Sequence, residues 1–105
     1  MTTIHEVVRK CKVALESHYG TQLEGLILYG SIAHHRSDLT SDIDLLILLN
    51  KSFDYLSELR QVIELLYPIQ LESEWLISAK PVSLNDFEQG RIQLYRNAKR
   101  EGIWV

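Results

Sequence analysis

The sequence predicts an α/β (α+β) fold: a small mixed β-sheet of three or four strands with helices packed on it. Three observations lead there. Apolar residues recur at spacings of three and four over residues 3–19. Two short runs, residues 23–29 and 42–49, are almost wholly apolar and have the length of buried strands. Helical periodicity returns after the second of them.

Taken in order, Ile4, Val7, Val8, Cys11 and Leu15 form one helical face over residues 3–19, and Gly20 ends that helix. Leu23 to Tyr29 reads as a strand with Gly30 behind it, and Ser31 to Thr40 as a polar turn opening on a helical turn. Residues 42–49 make the second strand. They have no polar side after Asp44, so they belong in the middle of a sheet, covered on both faces. Ser52 or Asp54 caps a helix that runs to about Leu66, with Leu56, Leu59, Ile63 and Leu66 inward, and Tyr67-Pro68 breaks it. Residues 69–78 alternate with period two and read as a third strand, ended by Pro81. Ser83 and Asp86 suit a capping box opening a helical tail, interrupted at Gly90 and stopping near Gly102.

The 105 residues read as a single domain, with no repeat and no linker. The 46% hydrophobic and 24% charged composition is that of a folded soluble domain rather than a disordered chain. A net charge of -3 argues against strong general binding to nucleic acid. One cysteine, Cys11, allows neither an internal disulfide nor a multi-cysteine zinc site. The first residues lack a signal-peptide core, and no apolar run is long enough to span a bilayer. The expectation is a cytoplasmic protein without a membrane anchor.

The chemistry concentrates between Leu28 and Leu49. Gly30-Ser31 follows the first strand, ten residues intervene, and Asp42-Ile43-Asp44 opens the second. Side chains alternate along a strand, so Asp42 and Asp44 point the same way with Cα atoms about 6.6 Å apart. Two carboxylates so placed suit a hard cation such as Mg²⁺, which keeps positions open for substrate phosphates. Glycine lets backbone approach a phosphate, and a helix start at Ser31 would favour negative charge. A triphosphate held between the two would be open to in-line attack at the α-phosphorus by a hydroxyl. A third carboxylate on a neighbouring strand would complete the site, and Glu72 and Glu74 both lie on the polar side of the expected third strand.

At these residues the chain resembles the polymerase-beta-type nucleotidyltransferase superfamily: a Gly-Ser pair, a spacer of this length, Asp-x-Asp, and a third acid on a later strand. Its size, and Lys99-Arg100-Glu101-Gly102-Ile103 near its end, resemble the minimal nucleotidyltransferases within it. The resemblance implies phosphate binding at Gly30 and Ser31. It implies two Mg²⁺ ions on Asp42, Asp44 and a third acid, which alignment of residues 73–78 assigns to Glu74, in place of the usual aspartate. It implies ATP as the nucleotide substrate. His34-His35 stand where the family commonly has Arg-Gly. The resemblance also implies a partner, a helical HEPN-family toxin that such antitoxins neutralise by transferring AMP to a tyrosine, or by contact alone if the site is degenerate. Tyr95, Ile103 and Trp104 suggest an apolar tail surface for that partner or for self-association.

Overall fold

In the computed structural model, which describes residues 3–29 and 42–105, the chain forms three layers. Helix α1 (Ile4–Tyr19) is followed by a short 3₁₀ turn at Gly20–Gln22 and strand β1 (Leu23–Tyr29). Then come β2 (Ile43–Leu49), α2 (Tyr55–Glu72), β3 (Ile77–Ser83), α3 (Leu84–Gln89), α4 (Gln93–Glu101) and a two-residue β4 (Ile103–Trp104). The sheet order is β3-β2-β1-β4. The β2–β3 pair is parallel, and β1 is antiparallel to both β2 and β4. The expected mixed sheet with packed helices is what forms.

Alternation of side chains along β2 divides the core. Ile43, Leu45, Ile47 and Leu49 face α1 and α2, where they meet Val7, Cys11, Leu15, Val62 and Leu66. Leu46 and Leu48 face α3 and α4, where Phe87 and Ala98 cover them with Ile27 and Val82. The strand is thus buried on both sides, as its unbroken apolar run requires.

Local signals fix most element ends. The Thr3 hydroxyl accepts a hydrogen bond from the Glu6 N–H at the start of α1. The Asp54 carboxylate does the same for Ser57 at the start of α2, and the Ser83 hydroxyl for Asp86 at the start of α3. Gly90 ends α3 with φ of 60°, a conformation in which a Cβ is strained. At the C-terminal end the Trp104 indole lies against Gly25 with no room for a Cβ there, and its other neighbour is the Phe87 ring edge.

Two expectations are corrected. Residues 69–78 do not form a strand: α2 continues through Pro68 to Glu72, and β3 begins only at Ile77. A proline inside a helix costs about 3 kcal/mol through a lost hydrogen bond and a ring clash. Tertiary contacts offset this. Ile69 packs on the core, and the Gln70 side chain accepts from the Ile77 N–H at 2.7 Å and donates to the Trp75 carbonyl at 3.0 Å. Pro81 does not end β3 but sits within it, buried, on an edge strand where its missing N–H has a free side to face. The second correction concerns the face of α2. Its buried residues are Glu58, Val62 and Leu66, while Leu56 and Ile63 are 73% and 57% exposed.

Glu58 is the buried charged residue of the described chain, at 5% exposure. Burial alone would favour its neutral form. The Tyr19 hydroxyl, which donates to it at 2.6 Å, and the Lys51 ammonium at 3.1 Å outweigh that and hold its carboxyl below the ordinary glutamate range. The same contact and burial push the Tyr19 hydroxyl up. Burial also raises the Cys11 thiol to about 11, so this cysteine is an inert core residue.

A lowered folded-state value means stability present above the unfolded value and lost as the pH falls through the folded one. We therefore expect Tyr19→Phe to destabilise the fold by roughly 1–3 kcal/mol near neutral pH in urea unfolding. The difference should shrink as the pH drops below the ordinary glutamate value of 4.5. A Tyr19→Phe penalty independent of pH would remove this account.

Candidate active site

The β2 ladder sets the geometry around the aspartates. Asp44 pairs with Tyr29 on β1 and with Ser78 on β3, so these three residues form one rung across the sheet. Lys80 lies one same-face step further along β3, opposite Leu46. The alternation that puts Leu46 and Leu48 against α3 and α4 puts Asp44 on that face too. Asp42 lies just before the strand, half-buried, and bears on Asp44 electrostatically.

Lys80 and Tyr29 are on strands that do not touch, because β2 lies between them. Neighbouring strands are about 4.8 Å apart, so β1 and β3 are separated by roughly 10 Å. The Lys80 ammonium nevertheless donates to the Tyr29 hydroxyl at 3.3 Å. The two side chains therefore reach toward each other over β2, on the face that carries Asp44.

The electrostatics follow from that crossing. Desolvation raises the Asp44 carboxyl above its ordinary value, repulsion from Asp42 adds to the rise, and Lys80 opposes it. Burial pushes the Tyr29 hydroxyl up, against the pull of Lys80. Burial would lower the Lys80 ammonium, but Tyr29, Asp44 and Tyr55 prevail and raise it, so the lysine stays charged. Two carboxylates, one partly desolvated and repelled by the other, form a donor set of hard oxygens that a divalent cation would relieve. The residues fit one such ion.

They do not supply the third acid. Glu74 is exposed, in the bend between α2 and β3, and off the strand that pairs with β2. Glu72 ends α2 and pairs with Lys10 at 3.3 Å, on the opposite layer. The β3 residues that share the Asp44 face are Ser78, Lys80 and Val82, none of them acidic. Among the described residues no three His, Cys, Asp or Glu side chains gather as a metal site. Gly30, Ser31, His34 and His35 lie outside the described residues.

Lys80 is the residue the sequence reading missed. Nothing in its spacing points to Asp44; only the parallel register of β3 against β2 does.

Because Asp44 is held above its ordinary value, its ionised form opposes folding, and stability is lost as the pH rises through the folded-state value. We expect Asp44→Asn, in the absence of divalent cations at neutral pH, to raise the melting temperature modestly, because solvent screens a half-exposed carboxylate. Calorimetry in chelator checks this, and a lowered melting temperature would contradict it.

No curated protein matched the chain. A model of the family described as polymerase beta, nucleotidyltransferase, matches residues 9–105, a span that takes in the sheet, both helical layers and the aspartate pair. The chain belongs to that nucleotidyltransferase family.

Proposed function

We propose that this chain moves AMP from ATP to a tyrosine hydroxyl of a protein partner, as a minimal nucleotidyltransferase of the antitoxin type whose partner is a helical HEPN-family protein in the same cytoplasm. One observation carries the reading. In a chain of the nucleotidyltransferase family, Asp44 opens a central strand that is apolar beyond it, and Asp42 lies just before that strand, near enough to raise the Asp44 carboxyl. Asp42 and Asp44 hold Mg²⁺ in this reading, and Gly30-Ser31 hold the nucleotide phosphates. When bound, the ion neutralises charge on the reacting oxygens of an in-line displacement. The acceptor oxygen bonds to the α-phosphorus, pyrophosphate leaves, and the hydroxyl proton goes to solvent.

In this reading the domain needs a surface for its partner. The outer side of α2 supplies a candidate. Leu56, Ile63, Tyr67 and Leu71 are exposed at spacings of seven and four, so they share one helix face. Leu76 extends the stripe across to the start of β3 and is also exposed. The Leu76 carbonyl accepts a hydrogen bond from the Ile43 N–H at 2.8 Å, between the two aspartates in sequence. A helical partner laid along this stripe would end beside the aspartate pair. Ile103 and Trp104, half exposed on the edge strand β4, lie on the far side of the sheet and suit self-association.

A second reading has a specific observation in its favour. Lys80 stands on the Asp44 face of β3, where a third carboxylate would complete two-ion chemistry. In that reading the chain silences its partner by contact alone.

Incubation of the chain with the product of its neighbouring gene, ATP and Mg²⁺ distinguishes the two by mass spectrometry. We expect the partner to gain one AMP mass or a multiple of it. Asp44→Asn should slow the gain by about a hundredfold or more. Ile63→Glu with Leu71→Glu should weaken the complex without changing ATP binding. An unmodified partner in a tight complex would leave the contact reading alone standing.

A further inference from the structure

Resting on the reading of Asp42 and Asp44 as divalent-cation ligands, we propose that the ammonium of Lys80 takes the place of a second metal ion, so that the aspartate pair binds a single divalent cation.

Three observations support it. First, Lys80 crosses above β2 to reach Tyr29 at 3.3 Å, which sets its charge over the face that carries Asp44 rather than out in solvent. Second, β3 offers no carboxylate on that face: Ser78 flanks Asp44 on the same rung, and Lys80 and Val82 follow. Third, the charges of the described residues on this face balance for one ion. Asp42, Asp44 and Lys80 together carry one net negative charge, which one divalent cation already overcompensates. Among the described residues, a second divalent ion would meet the first ion and the lysine with no carboxylate of β3 to hold it, and like charges in a half-buried site repel. The hydroxyl of Tyr29 accepts from the lysine and fixes where its charge lies.

The consequence reaches the chemistry. A fixed ammonium is a point charge with three donors and no open coordination position. It attracts a phosphate oxygen but cannot carry a metal-bound water or polarise an acceptor hydroxyl as a second ion would. Lys80 is therefore a phosphate-facing charge, and the acceptor hydroxyl must be prepared by the partner or by solvent.

The test counts ions. Mn²⁺ alone is titrated into the folded chain at low ionic strength, and the free ion is followed by electron paramagnetic resonance. The native chain should bind one Mn²⁺. Lys80→Met, which keeps the length of the side chain and removes the charge, should still bind one, about tenfold more tightly. Lys80→Asp should bind two. If it fails to fold by circular dichroism, Lys80→Met decides the question. Two ions on the native chain would overturn the proposal. So would unchanged affinity in Lys80→Met while Asp44→Asn abolishes binding, an outcome that leaves the aspartates as ligands and removes only the lysine. If neither the native chain nor any Lys80 variant binds Mn²⁺, the aspartate reading itself fails and takes the proposal with it.

Discussion

Everything in this fold is arranged around one strand that has no side to show to water. From Leu45 to Leu49, β2 is apolar and buried on both faces, and such a segment is stable only at the centre of a sheet with a layer on each side. β1 and β3 supply its hydrogen-bonding neighbours, α1 and α2 one cover, α3 and α4 the other. Register is equally constrained. A slip of one residue would carry Leu45 to the place of Asp44 and bury a carboxylate among Val62 and Leu66, so burial of the strand fixes the direction of its charged end. The site is a by-product of the core: the same alternation that sorts Leu46 from Leu45 orients Asp44.

Much of this is written in spacing. The helix expected over residues 3–19 is α1 within a residue, the first strand is β1, and the second differs from β2 by one residue, because each has a single dominant period and a recognisable end. The Gly90 interruption and the Ser83 cap were legible for the same reason. Residues 69–78 were not. Their period-two alternation is real, but Pro68 does not stop the helix, since Ile69 and Gln70 are anchored by contacts with residues distant along the chain or across the turn. Once the helix runs on to Glu72, the strand must start later, and Pro81 becomes an edge-strand residue instead of a terminator. The inward face of α2 was misjudged because its buried residues include Glu58, held by Tyr19 and Lys51, where spacing alone looks for an apolar side chain, while Leu56 and Ile63 are exposed.

The site divides along the same line. The orientation of Asp44 needs only the period of a strand, which the sequence carries, while Asp42 lies one residue before β2. The third position needs to know which residue of β3 lies beside β2 and on which face, and that depends on where α2 ends. The expected strand over residues 69–78 offered Glu72 or Glu74, and the family resemblance singled out Glu74; with β3 at Ile77–Ser83, the residues on the Asp44 face are Ser78 and Lys80. A lysine there would be unremarkable on an exposed edge. It matters because it reaches across the central strand to Tyr29.

In the proposed reading, the division of the molecule into two helical layers also separates nucleotide chemistry from partner binding. Asp44 and Lys80 lie toward the α3–α4 layer, and the exposed apolar stripe of α2 belongs to the other. A partner seated on α2 would leave the aspartate face open to nucleotide, which a surface on α3 or α4 would not. The two meet at one place, the edge where β3 begins, because Leu76 and Ile43 share a backbone hydrogen bond there. In that reading, an acceptor side chain brought in at that corner passes, among the described residues, the rung of Ser78 to come alongside Asp44. Since β3 is an edge strand, no further strand of the sheet stands in its way.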